Sequence, residues 1–196
     1  MREMISCILS GCLIMSEPIK NSHCGYCGSK FTEQVAWPRK CFVCYNDSYC
    51  NPLPVVVVNI PVQEDFPDGT SRVGLLIQKR DINPKKGQWA LTGGYVDYCE
   101  TWKHAAVREV FEELGFVSKE DDYNLYEVES SVDQSSLLII CTCSVGLYLN
   151  ELDKFVPNSE VSEIGVMWED TKLAFPAHTK AANEVLAILK GVCNGI

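Results

Sequence analysis

The chain has 196 residues, 46% of them hydrophobic and 22% charged, enough apolar material for one packed domain with a small module beside it. Its formal net charge of −9 argues against non-specific nucleic-acid binding, which needs a basic surface. No apolar run approaches the roughly 20 residues required to cross a bilayer, so no membrane partner is expected.

Eleven cysteines would imply a disulfide framework in a small secreted chain. The number is odd, however, and four of them form two close CxxC pairs. Cys99, Cys141 and Cys143 lie in or beside expected core elements, where a free thiol behaves as a small hydrophobe. A reducing compartment, the cytoplasm, is the expected location.

Residues 1–20 form an N-terminal extension that opens with the short apolar stretch Met1 to Met15. Within it Leu9-Ser10-Gly11-Cys12 looks like a bacterial lipobox, but the apolar core before it is short and the basic region nearly absent. The expectation is a loosely packed extension, with Met15 an alternative start.

Cys24-Gly25-Tyr26-Cys27 and Cys41-Phe42-Val43-Cys44 follow, separated by a polar spacer. Two CxxC knuckles at this separation are the ligand set of a zinc ribbon, here over residues 21–52, each supplying two thiolates to a tetrahedral site. Iron is the competing occupant, because thiolates at this spacing hold either metal, and disulfides are the weaker alternative. Four thiolates close the site, so its role is structural, and His23 and Cys50 are bystanders. Residues 21–50 are too few for a hydrophobic core of their own, and bound metal supplies the missing folding energy.

Asn51-Pro52-Leu53-Pro54 marks a boundary, after which residues 53–196 form the second domain. Val55 to Val62 reads as a single strand buried on both faces, and Val73 to Lys79 as a second after a turn at Asp65 to Thr70. A loop from Asp81 to Gly87 leads to a short strand, Trp89 to Thr92. Strands are also expected at Leu125 to Val132, Ser136 to Val145 (the central one) and Gly165 to Glu169, and an amphipathic helix at Lys180 to Lys190. Strands interleaved with two helices predict an α/β sandwich built on a mixed sheet.

The stretch Gly93 to Phe116 organises the rest. Thr101 suits an N-cap, Ala105 and Ala106 favour helix, and Gly115 stands where a left-handed C-cap belongs. On that helix Glu109, Glu112 and Glu113 fall at i, i+3 and i+4 and share one face. Three carboxylates alone would mark only a solvated face; converged, they suit Mg²⁺, Mn²⁺ or Ca²⁺. Gly94, Glu100, Arg108, Glu109, Val110, Glu112, Glu113, Gly115 and Phe116 together resemble the Nudix box, GX5EX7REUXEEXGU, at every fixed position.

The resemblance implies a Nudix α/β/α sandwich and hydrolysis of a nucleoside diphosphate linked to a further group X. It casts Glu109, Glu112 and Glu113 as ligands of catalytic Mg²⁺ or Mn²⁺, with the Gly93 carbonyl joining them. Gly93 and Gly94 let the backbone approach the phosphates, and Arg108 pairs with Glu100 to lock the loop onto the helix. The general base is a box glutamate, Glu160 or Glu163. Arg80 is a candidate phosphate contact, and Tyr95, Tyr98, Trp102 and Phe175 are candidate platforms for an adenine ring.

A zinc ribbon directly before a Nudix domain resembles NADH pyrophosphatases and FAD or ADP-ribose pyrophosphatases. The NADH-specific signature SQPWPFPxS is missing; the corresponding region reads Glu129-Ser130-Ser131-Val132-Asp133-Gln134-Ser135. ADP-ribose, FAD or a related dinucleotide is therefore the expected substrate, with AMP released. NADH cleavage, ligand sensing and RNA 5′-end processing are the alternatives. The expected partner is a small nucleotide, not nucleic acid, with a homodimer as a possible assembly.

Overall fold

The computed structural model describes residues 19–32 and 36–193; the lipobox-like segment and most of the N-terminal extension lie outside them. The chain divides into two compact units, Met1–Asn51 and Pro52–Ile196.

In the first unit the two knuckles adopt the same backbone course. Gly28 N–H donates to Cys24 O (3.0 Å) and Tyr45 N–H to Cys41 O (2.9 Å). Each turn ends in a left-handed residue, Gly28 at φ 72° and Tyr45 at φ 60°. The reverse bonds match too: Cys24 N–H reaches Ser29 O and Cys41 N–H reaches Asn46 O. Strands β1 (Arg39–Lys40) and β2 (Asp47–Ser48) pair antiparallel at the base of the second knuckle, and a His23–Lys30 bridge closes the first. The unit is thus two near-identical hairpins facing one another across their cysteines.

The second unit carries strands β3 (Leu53–Asn59), β4 (Pro61–Asp65), β5 (Ser71–Arg80) and β6 (Trp89–Ala90), then helix α1 (Trp102–Leu114). After a 3-10 turn come β7 (Tyr123–Ser130), β8 (Ser136–Cys143), β9 (Leu147–Tyr148), β10 (Val161–Met167) and helix α2 (Pro176–Cys193). One mixed sheet has the order β3-β8-β7, with β3 and β8 parallel; the other runs β10-β5-β4-β9, with β6 paired to β5.

The run Val55 to Val62, expected as one strand, is two strands in different sheets. Pro61 has no N–H to continue a ladder, and the chain changes sheet at Ile60, whose carbonyl accepts from Leu76 N–H at 2.9 Å. Burial on both faces does hold for β3. Val56 and Val58 pack with Ala105, Ala106, Val110 and Leu114 of α1, while Val57 packs with Ala181, Ala182, Val185 and Leu186 of α2. The helices therefore cover opposite faces of the strands, giving an α/β/α sandwich. Two other expectations shift: β10 lies four residues before the expected Gly165 start, and α2 begins at Pro176, where the fixed proline φ suits the first helical position.

Candidate active site and thiolate centre

Helix α1 is delimited as its sequence requires. Thr101 Oγ1 accepts from His104 N–H at 3.0 Å, and Gly115, at φ 75°, donates its N–H to Phe111 O. One stripe of the helix packs on β3, which leaves Glu109 and Glu113 turned into the groove beside Gly93 and Gly94. That loop is itself fixed: Val58 N–H donates to Thr92 O, Val56 N–H to Gly94 O and Val96 N–H to Pro54 O.

Both glycines are needed for this approach. Gly93 has φ 151°, and a β-carbon there would run into the Val56 carbonyl; one on Gly94 would overlap the Glu109 carboxylate. Gly93 N–H donates to Glu113 Oε2 at 2.9 Å, so loop and helix are joined at a carboxylate that is only 4% exposed.

Arg108 ties the cluster together. Its Nε and Nη2 donate to the two oxygens of Glu100 at 2.9 and 3.0 Å, and Nη2 also donates to Tyr95 O at 2.9 Å. Nη1 bridges Glu109 Oε1 at 2.7 Å and Glu112 Oε2 at 3.0 Å. The guanidinium holds Glu100 well down, at about 2. Glu109 and Glu113 move the opposite way. Burial raises both, overriding Arg108 at Glu109 and overriding the bonds from Gly93 N–H and Gln78 at Glu113, which is pushed up to about 7.

Glu160 stands near enough to both buried glutamates to raise them further, whereas Glu163 is engaged by Lys79 Nζ at 3.1 Å. The two loop glutamates are thus distinguished: Glu160 adds its charge to the cluster from a loop that Asn158 bonds to α1, and Glu163 pairs across the β5–β10 ladder. Arg80 and Phe175 lie against each other, guanidinium carbon 5.4 Å from the ring centroid, with Arg80 Nε donating to Pro84 O. Tyr95 and Tyr98 are exposed, and Trp102 packs against the α1 core.

Two residues at the site were missed from sequence. Gln78, 1% exposed, accepts from Thr92 Oγ1 at 3.1 Å and bonds Glu113. A lone glutamine inside the apolar run of β5 was the available signal. Asn158 bonds the C-terminal carbonyls of α1; its position after Pro157 marks a turn but not a partner 45 residues away.

In the first unit, Cys24, Cys27, Cys41 and Cys44 bring their sulfurs within 4.8 Å of one another. Cys24–Cys44 and Cys27–Cys41 are both 3.7 Å apart. A tetrahedron with metal–sulfur bonds of about 2.3 Å has edges of about 3.8 Å, so this thiolate set fits a single tetrahedral ion. Val43 N–H and Tyr26 N–H donate to Cys41 and Cys24 sulfurs at 3.4 Å. The Ser29 hydroxyl, with the Cys44 and Val43 N–H groups, lowers Cys41 to about 6. His23 turns aside to Ser22. Cys141 and Cys143 are buried in the α1-side core, but Cys99, expected with them, is exposed in the loop before α1, where the chain turns through a left-handed conformation.

A glutamate-lined helix facing a glycine loop, on an α/β/α sandwich, defines a class of acidic, oxygen-ligand sites suited to hard divalent cations. Residues 54–185 match the family model described as the NUDIX domain, and the chain belongs to the Nudix family. It is 49% identical over 45 residues to an ADP-ribose pyrophosphatase of Methanocaldococcus jannaschii, covering 23% of this chain and 27% of that protein. It is 30% identical over 94 residues to an NAD-capped RNA hydrolase NudC of Photorhabdus laumondii subsp. laumondii, covering 47% and 33%. The chain thus spans about a third or less of the length of these curated relatives. Among solved structures, a NUDIX hydrolase from Nitrosomonas europaea matches with TM-score 0.58 at 20% identity over 85% of this chain and 90% of that one. The NUDIX domain of Shewanella oneidensis NrtR complexed with ADP ribose matches with TM-score 0.54 at 16% identity, over 70% and 88%. These likenesses show the fold. Among the described residues no helix is long and apolar enough to cross a membrane.

Proposed function

We propose that this chain is a divalent-metal-dependent pyrophosphatase that cleaves ADP-ribose, FAD or a related dinucleotide and releases AMP. The observation that carries the reading is the cluster of Glu109, Glu112 and Glu113 against the Gly93–Gly94 backbone, with Arg108 and Glu100 locking loop to helix. The three carboxylates offer only hard oxygen donors, which fit Mg²⁺ or Mn²⁺ better than a softer ion. When bound, such an ion would neutralise pyrophosphate charge and help orient water.

The chain's own residues supply the rest. Gly93 and Gly94 let the loop backbone lie against Val56 and the Glu109 carboxylate, which brings the backbone and the carboxylate cluster together where the phosphates would bind. Arg108 and Gly93 N–H hold Glu109 and Glu113 in place. Glu160 is the general base: it takes a proton from the water whose oxygen attacks phosphorus, as the bridging P–O bond breaks and the two phosphate halves separate. Its place beside the cluster supports this role, and the Lys79 pairing of Glu163 weighs against the alternative. Arg80, stacked on Phe175, contacts the substrate's phosphate or base.

Residues 21–52 form a structural zinc ribbon through Cys24, Cys27, Cys41 and Cys44, and residues 53–196 form the hydrolase domain, with residues 1–20 an extension. The adenine dinucleotide class is supported by the relative named ADP-ribose pyrophosphatase. The NudC relatives favour a second reading, cleavage of an NAD-type cap or NADH.

A panel of ADP-ribose, FAD, NADH, diadenosine polyphosphates and NAD-capped RNA, assayed with Mg²⁺ and with Mn²⁺, decides between them. Fastest turnover of ADP-ribose or FAD with release of AMP is expected. Preference for NADH or capped RNA selects the second reading, and turnover of none defeats both.

A further inference from the structure

The loop that carries Glu160 is fastened to helix α1 through one side chain. Asn158 Nδ2 donates to Glu113 O at 2.9 Å and reaches Glu112 O at 3.4 Å; these are two of the carbonyls a helix end leaves without an intrahelical partner. The Oδ1 of the same amide accepts from the N–H groups of Glu160 and Val161, each at 2.9 Å, and Asn158 N–H closes the turn on Val161 O at 3.0 Å. The far side of Glu160 is held by Asp81 N–H, which donates to Glu160 O at 2.7 Å.

We infer that Asn158 is a positioning residue for the reaction: it sets the distance of Glu160 from Glu112 and Glu113 by bonding both segments with opposite ends of one amide. No other standard side chain of this length offers both functions. Asp keeps the acceptor and loses the donor; Ser keeps a weaker acceptor and does not reach the helix. The hydrogen bonds of Asn158 all go to backbone, so it acts through Glu160 and not on the substrate.

The inference rests on the reading of Glu160 as general base, and its test separates the two. The wild type, Asn158→Asp, Asn158→Ser, Glu160→Gln and the Asn158→Asp/Glu160→Gln double variant are compared on the panel substrate that turns over fastest, with Mg²⁺. Glu160→Gln alone should lower kcat by about 10²-fold or more, within the usual range for losing a general base. Asn158→Asp should lower kcat by about 10- to 100-fold, the scale of a misplacement near 1 Å, with KM within about twofold of wild type. In the Glu160→Gln background the same change should alter kcat by less than about twofold, because the group it positions is gone. Asn158→Ser should behave like Asn158→Asp, which rules out the added charge as the cause.

Wild-type kcat in Glu160→Gln would refute the base assignment, and the inference with it. A slow Glu160→Gln combined with an equal loss from Asn158→Asp in both backgrounds would overturn the positioning role alone. So would a wild-type kcat in Asn158→Asp.

Discussion

Replacing Glu113 by Gln should make the protein more stable at neutral pH when Mg²⁺ and Mn²⁺ are absent, while abolishing hydrolysis. Burial raises the Glu113 carboxyl from 4.5 to about 7, so the folded chain holds this proton more tightly than the unfolded one. The stability this contributes is fully present below about pH 4.5 and is lost as pH rises through about 7. At about 1.36 kcal/mol per pH unit the difference amounts to about 3 kcal/mol. In a domain of this size that corresponds to a Tm change of about 6–12 °C. Gln keeps an acceptor for Gly93 N–H and carries no charge to desolvate. The assay is thermal unfolding of both proteins at pH 5, 6, 7 and 8 in buffer free of Mg²⁺ and Mn²⁺, without chelator so that the thiolate centre is untouched. The two melting curves should nearly coincide at pH 5 and separate by pH 8, with the wild type lower. Adding Mg²⁺ at pH 8 should raise the wild type and leave the variant unmoved. Parallel Tm values from pH 5 to 8 would refute the reasoning.

Arg108→Ala leaves Glu100, whose side chain is 7% exposed, without its bidentate partner. The expected loss is about 2–4 kcal/mol by urea denaturation, the lower figure allowing for the exposed side of the arginine, together with reduced turnover. Arg108→Lys should recover only part of either, since an ammonium cannot reproduce the paired bonds; full recovery would show that charge alone matters. Gly94→Ala should cut kcat by about 10²-fold with helical content unchanged by circular dichroism, because its β-carbon displaces the Glu109 carboxylate; wild-type kcat would contradict that contact. Cys27→Ser should lose about one zinc per chain by elemental analysis and destabilise residues 21–52, and full zinc occupancy would sink the assignment.

The helix from Thr101 to Gly115 was legible because its evidence is local: a cap, a periodic face and a glycine at the end all lie within fifteen residues of one another. The four-cysteine centre was legible for a similar reason, since CxxC spacing imposes its own turn. The division of Val55 to Val62 between two sheets was not, although Pro61 was in view. A β-branched run shows that both faces are buried but not which neighbours bury them: β4 joins its hairpin neighbour β5, while β3 is claimed by β8, far along the chain. Gln78 and Asn158 escaped for the same reason. Each looks ordinary in its own segment, and each bonds the far end of the box helix.

The arrangement around Arg108 shows why the lock and the acidic face can share one residue. Its Nε and Nη2 bonds to Glu100 and Tyr95 O fix the guanidinium to the loop, while only Nη1 reaches Glu109 and Glu112. Without a cation, Nη1 offsets part of the repulsion among carboxylates at helical spacing, which lets the helix form with its acidic face intact. A divalent ion held by those oxygens would compete only with the Nη1 contacts, leaving the three bonds that join loop to helix. Burial raises the proton affinity of both Glu109 and Glu113, and Glu113, the more deeply buried and without a bond from Arg108, is pushed up to about 7. Its compensation within the chain is left to Gly93 N–H and Gln78.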